Sequence, residues 1–96
     1  MTTTSTRFLT NGAAQPMLRW VFIRNGRLLT CELDARARHT FDVGLIPHWN
    51  VSASVVERFG NAVTAMERHA ALARALRDTG WTVVDHAAAS DLRAAA

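Results

Sequence analysis

The chain contains no lysine and no tyrosine, so its eleven basic residues are all arginine. Apart from one cysteine thiol, few groups are left to titrate between neutral pH and the range where arginine deprotonates. The sequence pI of about 11.0 therefore overstates the positive charge, because the formal net charge at neutral pH is only +3. Arginine used in place of lysine, beside abundant alanine, predicts a bacterial genome rich in G and C.

Cysteine is nearly absent as well, with Cys31 the single example. One thiol excludes an internal disulfide framework and any zinc site built from several cysteines. Cys31 falls on the apolar side of a predicted strand, where a thiol usually behaves as a small hydrophobic group. We expect it to be buried and unreactive.

Long apolar runs are also missing, since no segment approaches the roughly 18 to 20 residues of a membrane-spanning helix. The 96 residues, 49% hydrophobic and 20% charged, are typical of one globular domain. The first sixteen residues are rich in threonine and serine and lack the apolar core of a secretory signal. We therefore expect a cytoplasmic protein with a flexible tail over 1–16, one domain over 17–86 and an alanine-rich tail over 87–96. Met17, directly after Pro16, is a second candidate start.

The clearest local pattern is a β-hairpin over residues 18–33. Asn25-Gly26 separates two runs of strand-forming residues, and this dipeptide is preferred in two-residue hairpin turns because both positions need positive φ. The turn predicts a register with Trp20 opposite Cys31 and Arg19 opposite Glu32. Alternation then predicts one apolar face, comprising Leu18, Trp20, Phe22, Leu29, Cys31 and Leu33.

A third strand is predicted over residues 39–46, where Phe41, Val43 and Leu45 recur at every second position and Pro47 ends the strand. Residues 51–59 allow two interpretations. The favoured one is a fourth strand, with Val51 facing Leu45; the alternative is a helix that begins at Ser54. Gly60 disfavours the helix, because glycine costs about 1 kcal/mol in a helix interior.

Residues 62–79 predict a helix that begins after an Asn61 cap and ends at Gly80. Its predicted apolar face comprises Ala62, Met66, Ala70, Ala73 and Leu76. Residues 81–85 predict a short final strand. The expected fold is thus α+β, a four-stranded antiparallel β-meander with one long C-terminal helix packed on one face. This order of elements is similar to the topology of the PUR-repeat and Whirly single-strand-binding folds, and the likeness concerns topology alone.

No catalytic motif is present: the chain lacks a glycine-rich phosphate loop, a Gly-x-Ser-x-Gly elbow and a His-Glu-x-x-His pair. Cys31, His39 and Asp42 have the residue types of an activated thiol, but alternation points Cys31 and Asp42 to opposite faces. The four histidines have no recognised ligand spacing. We expect a protein without enzymatic activity, cofactor or metal ion.

Two non-enzymatic hypotheses follow from the predicted topology. The leading one is a regulatory or interaction module that forms a homo-oligomer or binds a protein partner through Val21, Ile23 and Leu28, apolar residues on the sheet face opposite the helix. A single helix covers one face only, so we expect these side chains to be exposed in a monomer. The alternative is that a terminal tail covers them, through Phe8 and Leu9.

The second hypothesis is single-stranded nucleic-acid binding at one end of the domain. The predicted topology gathers basic and aromatic residues there, namely Arg24, Arg27, His48, Trp49 and Arg77. Guanidinium groups around a loop tryptophan can stack on bases and bind phosphates. The weak net charge favours the protein-interaction hypothesis over this one.

Overall fold

The computed structural model describes residues 15–88; residues 1–14 and 89–96, and with them the proposed roles of Phe8 and Leu9, lie outside the described part. Its elements are β1 (Gln15–Arg24), β2 (Arg27–Ala37), β3 (Thr40–Pro47), β4 (Val55–Phe59), α1 (Ala62–Asp78) and β5 (Thr82–Ala88). A 3₁₀ turn over Val51–Ala53 precedes β4. The strands form one antiparallel sheet in the order β4-β3-β2-β1-β5.

The predicted α+β class, with an antiparallel sheet and one helix packed on it, is confirmed. The described sheet has five strands rather than four and a short addition, because β5 is seven residues long and pairs along β1 from Ile23 to Leu18. β1 is therefore an inner strand with a neighbour on each side. The helix of these residues is too short and too polar to cross a membrane.

The Asn25-Gly26 turn behaves as predicted. Asn25 has a φ of 52° and Gly26 a φ of 76°, the left-handed backbone that a two-residue hairpin turn requires. The β1–β2 register is the expected one from Leu18–Leu33 to Arg24–Arg27. A local two-residue turn thus determines which side chains of the first two strands point toward the helix.

The core lies between α1 and the predicted apolar face of the hairpin. Phe22 and Cys31 are fully buried with Ala73 of the helix, and Leu33 is buried with Val43 and Ala65. Trp20 is half-buried at the border of the first group. The prediction that Cys31 is buried is confirmed.

The predicted helix face is correct in part: Ala73 is buried and Leu76 packs against the core, but Met66 and Ala70 do not lie on the buried face. The buried helical residues are Ala65, His69 and Ala73, whereas Met66 is 43% exposed and Ala70 is exposed. Alanine occupies many positions of the helix, so the sequence does not define a clear apolar stripe. His69 is a polar residue, but it is buried and its ring forms a hydrogen bond to the backbone of β2. The predicted helix start is correct, because Asn61 caps the first turn by accepting from the backbone N–H of Thr64.

The fourth strand exists, but its predicted register is wrong. Val55, not Val51, lies opposite Leu45, and Glu57 lies opposite Val43. Residues 51–53 instead form the 3₁₀ turn, and the N–H of Ser54, directly after it, donates to the carbonyl of Val51. The connection between β3 and β4 therefore includes residues 51–54, four residues that were predicted to belong to the strand.

Candidate functional site

Three connections meet at one end of the domain and enclose a groove of about 390 Å³. The β1–β2 turn contributes Arg24, Asn25 and Arg27, the loop after β3 contributes Trp49, and the connection after the helix contributes Trp81. We call this cavity, with those five residues, the tip groove. The structure thereby brings together three of the five residues of the nucleic-acid hypothesis.

Two tryptophans form the aromatic part of the tip groove. The rings of Trp49 and Trp81 are nearly parallel, with an angle of 13° between their planes and 6.2 Å between their centroids. Trp81 packs against the core, whereas Trp49 remains 48% exposed. The guanidinium carbon of Arg27 lies 5.2 Å from the Trp49 ring centroid, within the range of a cation–π contact. An exposed ring thus stacks on a partly buried one and has a cation beside it.

The helix end determines where Trp81 sits. The N–H of Gly80 donates to the carbonyl of Arg77, and the N–H of Trp81 donates to the carbonyl of Leu76. This pair of bonds is the Schellman arrangement, in which an apolar residue directly after the glycine folds back on the helix. The Gly80 cap follows from the sequence, whereas Trp81 was not among the predicted site residues. The Gly80-Trp81 dipeptide was the available signal.

Gly80 also makes room for Arg24. Its φ is 98°, and a methyl group at this position would lie 3.1 Å from Nε of Arg24. The side chain of Arg24 therefore lies against Gly80, two residues beyond the end of α1, and lines the tip groove from there.

The guanidinium groups of the tip groove have no acid partner within residues 15–88. The ion pairs of this part of the chain join Arg36 and Arg58 to Asp42, and Arg68 to Glu57. None of them includes Arg24 or Arg27. The basic residues with carboxylate partners lie toward the other end of the sheet or beside β4.

His48 and Arg77 do not line the tip groove. The Nε2 atom of His48 lies 2.6 Å from the hydroxyl of Thr30, and Thr30 is buried on the sheet face opposite α1. The guanidinium carbon of Arg77 lies 5.4 Å from the ring centroid of Trp20 on the helix side. These two predicted site residues therefore contact other parts of the structure.

The proposed protein-interaction face is less exposed than expected. Val21 is 9% exposed, and Ile23 and Leu28 are half-buried, so the expectation of three exposed side chains is wrong at Val21. Nearby polar residues are buried too: Asp34 and Asp42 lie opposite each other on β2 and β3 and are 5% and 2% exposed. Strand alternation predicts Asp42 on this face, but it does not predict that the carboxylate is buried.

Asp42 is held by two arginines. Arg58 donates to both carboxylate oxygens, from Nε at 2.8 Å and from Nη2 at 3.1 Å, and Nε of Arg36 lies 3.7 Å away. The carboxylate is therefore committed to structural ion pairs. It is not available to activate a nucleophile.

The thiol of Cys31 lacks the environment of a nucleophile. The residue is fully buried, and desolvation, followed by the nearby charge of Glu32, raises the pKa of the thiol to about 12. A catalytic thiol needs partial exposure and a lowered pKa.

Within the described residues, no group of three or more histidine, cysteine or acidic side chains is arranged to hold a metal ion.

Comparison of the chain with protein-family models, with curated proteins and with solved structures finds no match. The residues of the tip groove are therefore the basis for any assignment of function.

Proposed function

We propose that this protein binds single-stranded nucleic acid through the tip groove. The observation that carries the proposal is the half-exposed Trp49 ring, supported by Trp81, with Arg27 beside it. Aromatic side chains that accept stacked bases, combined with cations that contact the backbone, are the common feature of proteins that bind single strands without strong sequence preference.

The charge distribution supports an anionic ligand at this end. Arg24 and Arg27 form none of the ion pairs within residues 15–88, and the hairpin turn holds them on either side of Asn25-Gly26. A guanidinium group donates several N–H bonds in a fixed plane and fits phosphate oxygens well. An unpaired base can enter a groove of this size, whereas the bases of a duplex are held in their stack.

The modest net charge of +3 determines how tightly we expect the protein to bind a nucleic-acid strand. Few phosphate contacts imply weak binding, with dissociation constants on the order of 10⁻⁴ to 10⁻⁶ M. Each arginine–phosphate contact adds about 0.7 to the magnitude of the slope of log affinity against log salt for a single strand. Two contacts therefore predict a slope of about −1.4 from the tip groove.

The experiment is a titration of fluorescein-labelled decathymidylate, followed by anisotropy between about 50 and about 200 mM salt. Replacing both arginines, Arg24→Gln with Arg27→Gln, is expected to weaken binding about 60-fold at the lower salt concentration, from two lost phosphate contacts. Trp49→Ala is expected to weaken it by about 5-fold to 100-fold through lost stacking.

Arg38→Gln is the matched control, because Arg38 is exposed at the opposite end of the sheet and its replacement removes the same charge. It should leave the affinity within about twofold of the parent protein. Equal weakening by the control would show that net charge, not the tip groove, attracts the strand. Absence of salt-sensitive binding by the parent protein would refute the proposal.

The protein-interaction hypothesis remains a prediction for Val21, Ile23 and Leu28. Ile23 and Leu28 are half-buried, and Val84, in the neighbouring strand, is 52% exposed. Sedimentation velocity over a range of protein concentrations tests whether the chain self-associates. Val84→Glu should abolish any association that uses this face, and a monomer at every concentration would remove the homo-oligomer version of the hypothesis.

A further inference from the structure

A second cationic and aromatic cluster lies on the helix side of the sheet, at the border of β1 and β5. The guanidinium carbon of Arg77 lies 5.4 Å from the ring centroid of Trp20, and the ring of His86 lies 5.7 Å from it on the other strand. Trp20 and His86 are directly paired in the β1–β5 register. We call Trp20, Arg77 and His86 the Trp20 cluster.

The Trp20 cluster presents donors outward. Trp20 is half-buried against Phe22 and His69, whereas Arg77 and His86 are both exposed. Arg77 takes part in none of the ion pairs formed within residues 15–88. Contact with the ring holds the guanidinium group in position, so less side-chain freedom is lost when it binds an anion.

The cluster is connected to the tip groove by the hydrogen-bonded end of α1. Arg77 lies in the last turn of α1, and its carbonyl accepts the bond from Gly80 that places Trp81 in the groove. Along β1, Trp20 lies four residues before Arg24, which corresponds to roughly 13 Å at the rise of a strand. A bound single strand of about four nucleotides or more is long enough to reach both places.

We propose that the Trp20 cluster is a second backbone-binding site, at which Arg77 and His86 contact the phosphodiester groups of a strand whose bases occupy the tip groove. This inference rests on the proposed function. It adds a minimum ligand length, because Arg77 does not line the tip groove. The acceptor is a phosphodiester oxygen, and both side chains act as hydrogen-bond donors.

The test compares two ligands, dithymidylate and octathymidylate, titrated into the full chain at about 50 mM salt. Arg77→Gln is expected to weaken octathymidylate binding about eightfold, the counterion-release value for one phosphate contact. It should leave dithymidylate binding unchanged. Arg77→Lys, which keeps the charge but lacks the planar group, should recover part of the octathymidylate affinity.

Arg74→Gln is the matched control, since Arg74 is exposed on the same helix and its replacement removes the same charge. It should affect neither ligand by more than about twofold. Thermal unfolding of each variant shows whether the helix end is intact. If Arg77→Gln lowers the unfolding temperature, His86→Gln takes its place, because His86 lies outside the helix. This variant should show the same dependence on ligand length.

The outcomes separate the two proposals. If neither ligand binds the parent protein, the tip-groove function fails and this extension fails with it. If both ligands bind but Arg77→Gln weakens them equally, or weakens neither, the tip groove stands and the second site is refuted. A loss confined to octathymidylate and absent from the Arg74 control supports the second site.

Discussion

His69 donates a hydrogen bond from Nε2 to the backbone carbonyl of Cys31, 3.1 Å away inside the core. The bond joins the middle of α1 to the middle of β2 and assigns the ring proton to Nε2. It also explains how a histidine can be 2% exposed on a helix face that otherwise packs against apolar side chains. The ring of His69 also packs against the ring of Trp20 in a T-shaped arrangement, with 5.6 Å between the two ring centroids.

This hydrogen bond predicts that the protein loses stability in mild acid. Burial lowers the pKa of His69 below its ordinary value of 6.5, an effect only partly opposed by the bond to Cys31. The unfolded chain therefore binds a proton more readily, so the contribution of His69 is fully present above pH 6.5 and is lost as the pH falls toward the lowered pKa. Denaturant unfolding across this range measures the loss.

His69→Gln is the control for that measurement, because an amide keeps an N–H donor but does not titrate. The difference in free energy of unfolding between parent and variant should shrink below pH 6.5 as the parent becomes less stable. A difference that stays constant with pH would show that His69 is not the residue responsible.

The Cys31 thiol should be unreactive until the protein unfolds. It is fully buried, and with a pKa of about 12 it carries almost no thiolate at neutral pH. We expect iodoacetamide to label it at least about 10³-fold more slowly in the native protein than in denaturant, because labelling then requires opening of the core. Mass spectrometry follows the added mass, and rapid native labelling would contradict the burial.

Three glycines should respond differently to replacement by alanine. Gly26→Ala meets no neighbouring atom but places a side chain at a φ of 76°, which should cost about 1–2 kcal/mol. Gly80→Ala meets the same strain at a φ of 98° and also displaces Arg24, so its cost should be at least as large.

Gly60→Ala is the contrasting case. No neighbouring atom lies within 4 Å of its added methyl group, and its φ lies outside the left-handed region. The change should stabilise the protein by about 0.4–1 kcal/mol, since alanine restricts the unfolded chain. Thermal unfolding of the three variants measures their order of stability. A Gly60 variant less stable than the Gly26 variant would contradict the prediction.

The ion pair between Arg58 and Asp42 should contribute more to stability than the exposed arginines do. Asp42 is 2% exposed, so Arg58→Gln would leave a buried carboxylate with only the longer contact to Arg36. Because the Arg58 side chain is 55% exposed, solvent reduces the effect, and we expect a loss of about 1–3 kcal/mol. Arg38→Gln should change the free energy of unfolding by less than about 0.5 kcal/mol.

Sequence patterns predicted the parts of the fold that local chemistry determines. Asn25-Gly26 allows essentially one kind of tight turn, so the register and faces of β1 and β2 followed from it. Asn61 and Gly80 marked the helix ends for the same reason, since a cap acts within one turn of backbone.

The remaining features depend on contacts between distant segments. The β4 register was wrong because the loop before it has no dipeptide that fixes its length. The middle of the helix face was wrong because His69, rather than Met66 or Ala70, is buried there, with a hydrogen bond to a strand far away in the sequence. Trp81 was missed as a groove residue for the same reason: its partner Trp49 comes from a separate connection.

The position of β5 beside β1 has a consequence for how the chain folds. The β1–β2 hairpin forms between neighbours in sequence, whereas β1 and β5 are the described strands that lie farthest apart along the chain. Closing so long a loop is slow, so β5 is expected to dock late. Until β5 docks, one edge of β1 is free to pair with a strand of another molecule. Refolding at high protein concentration should therefore favour strand exchange and aggregation over the native monomer.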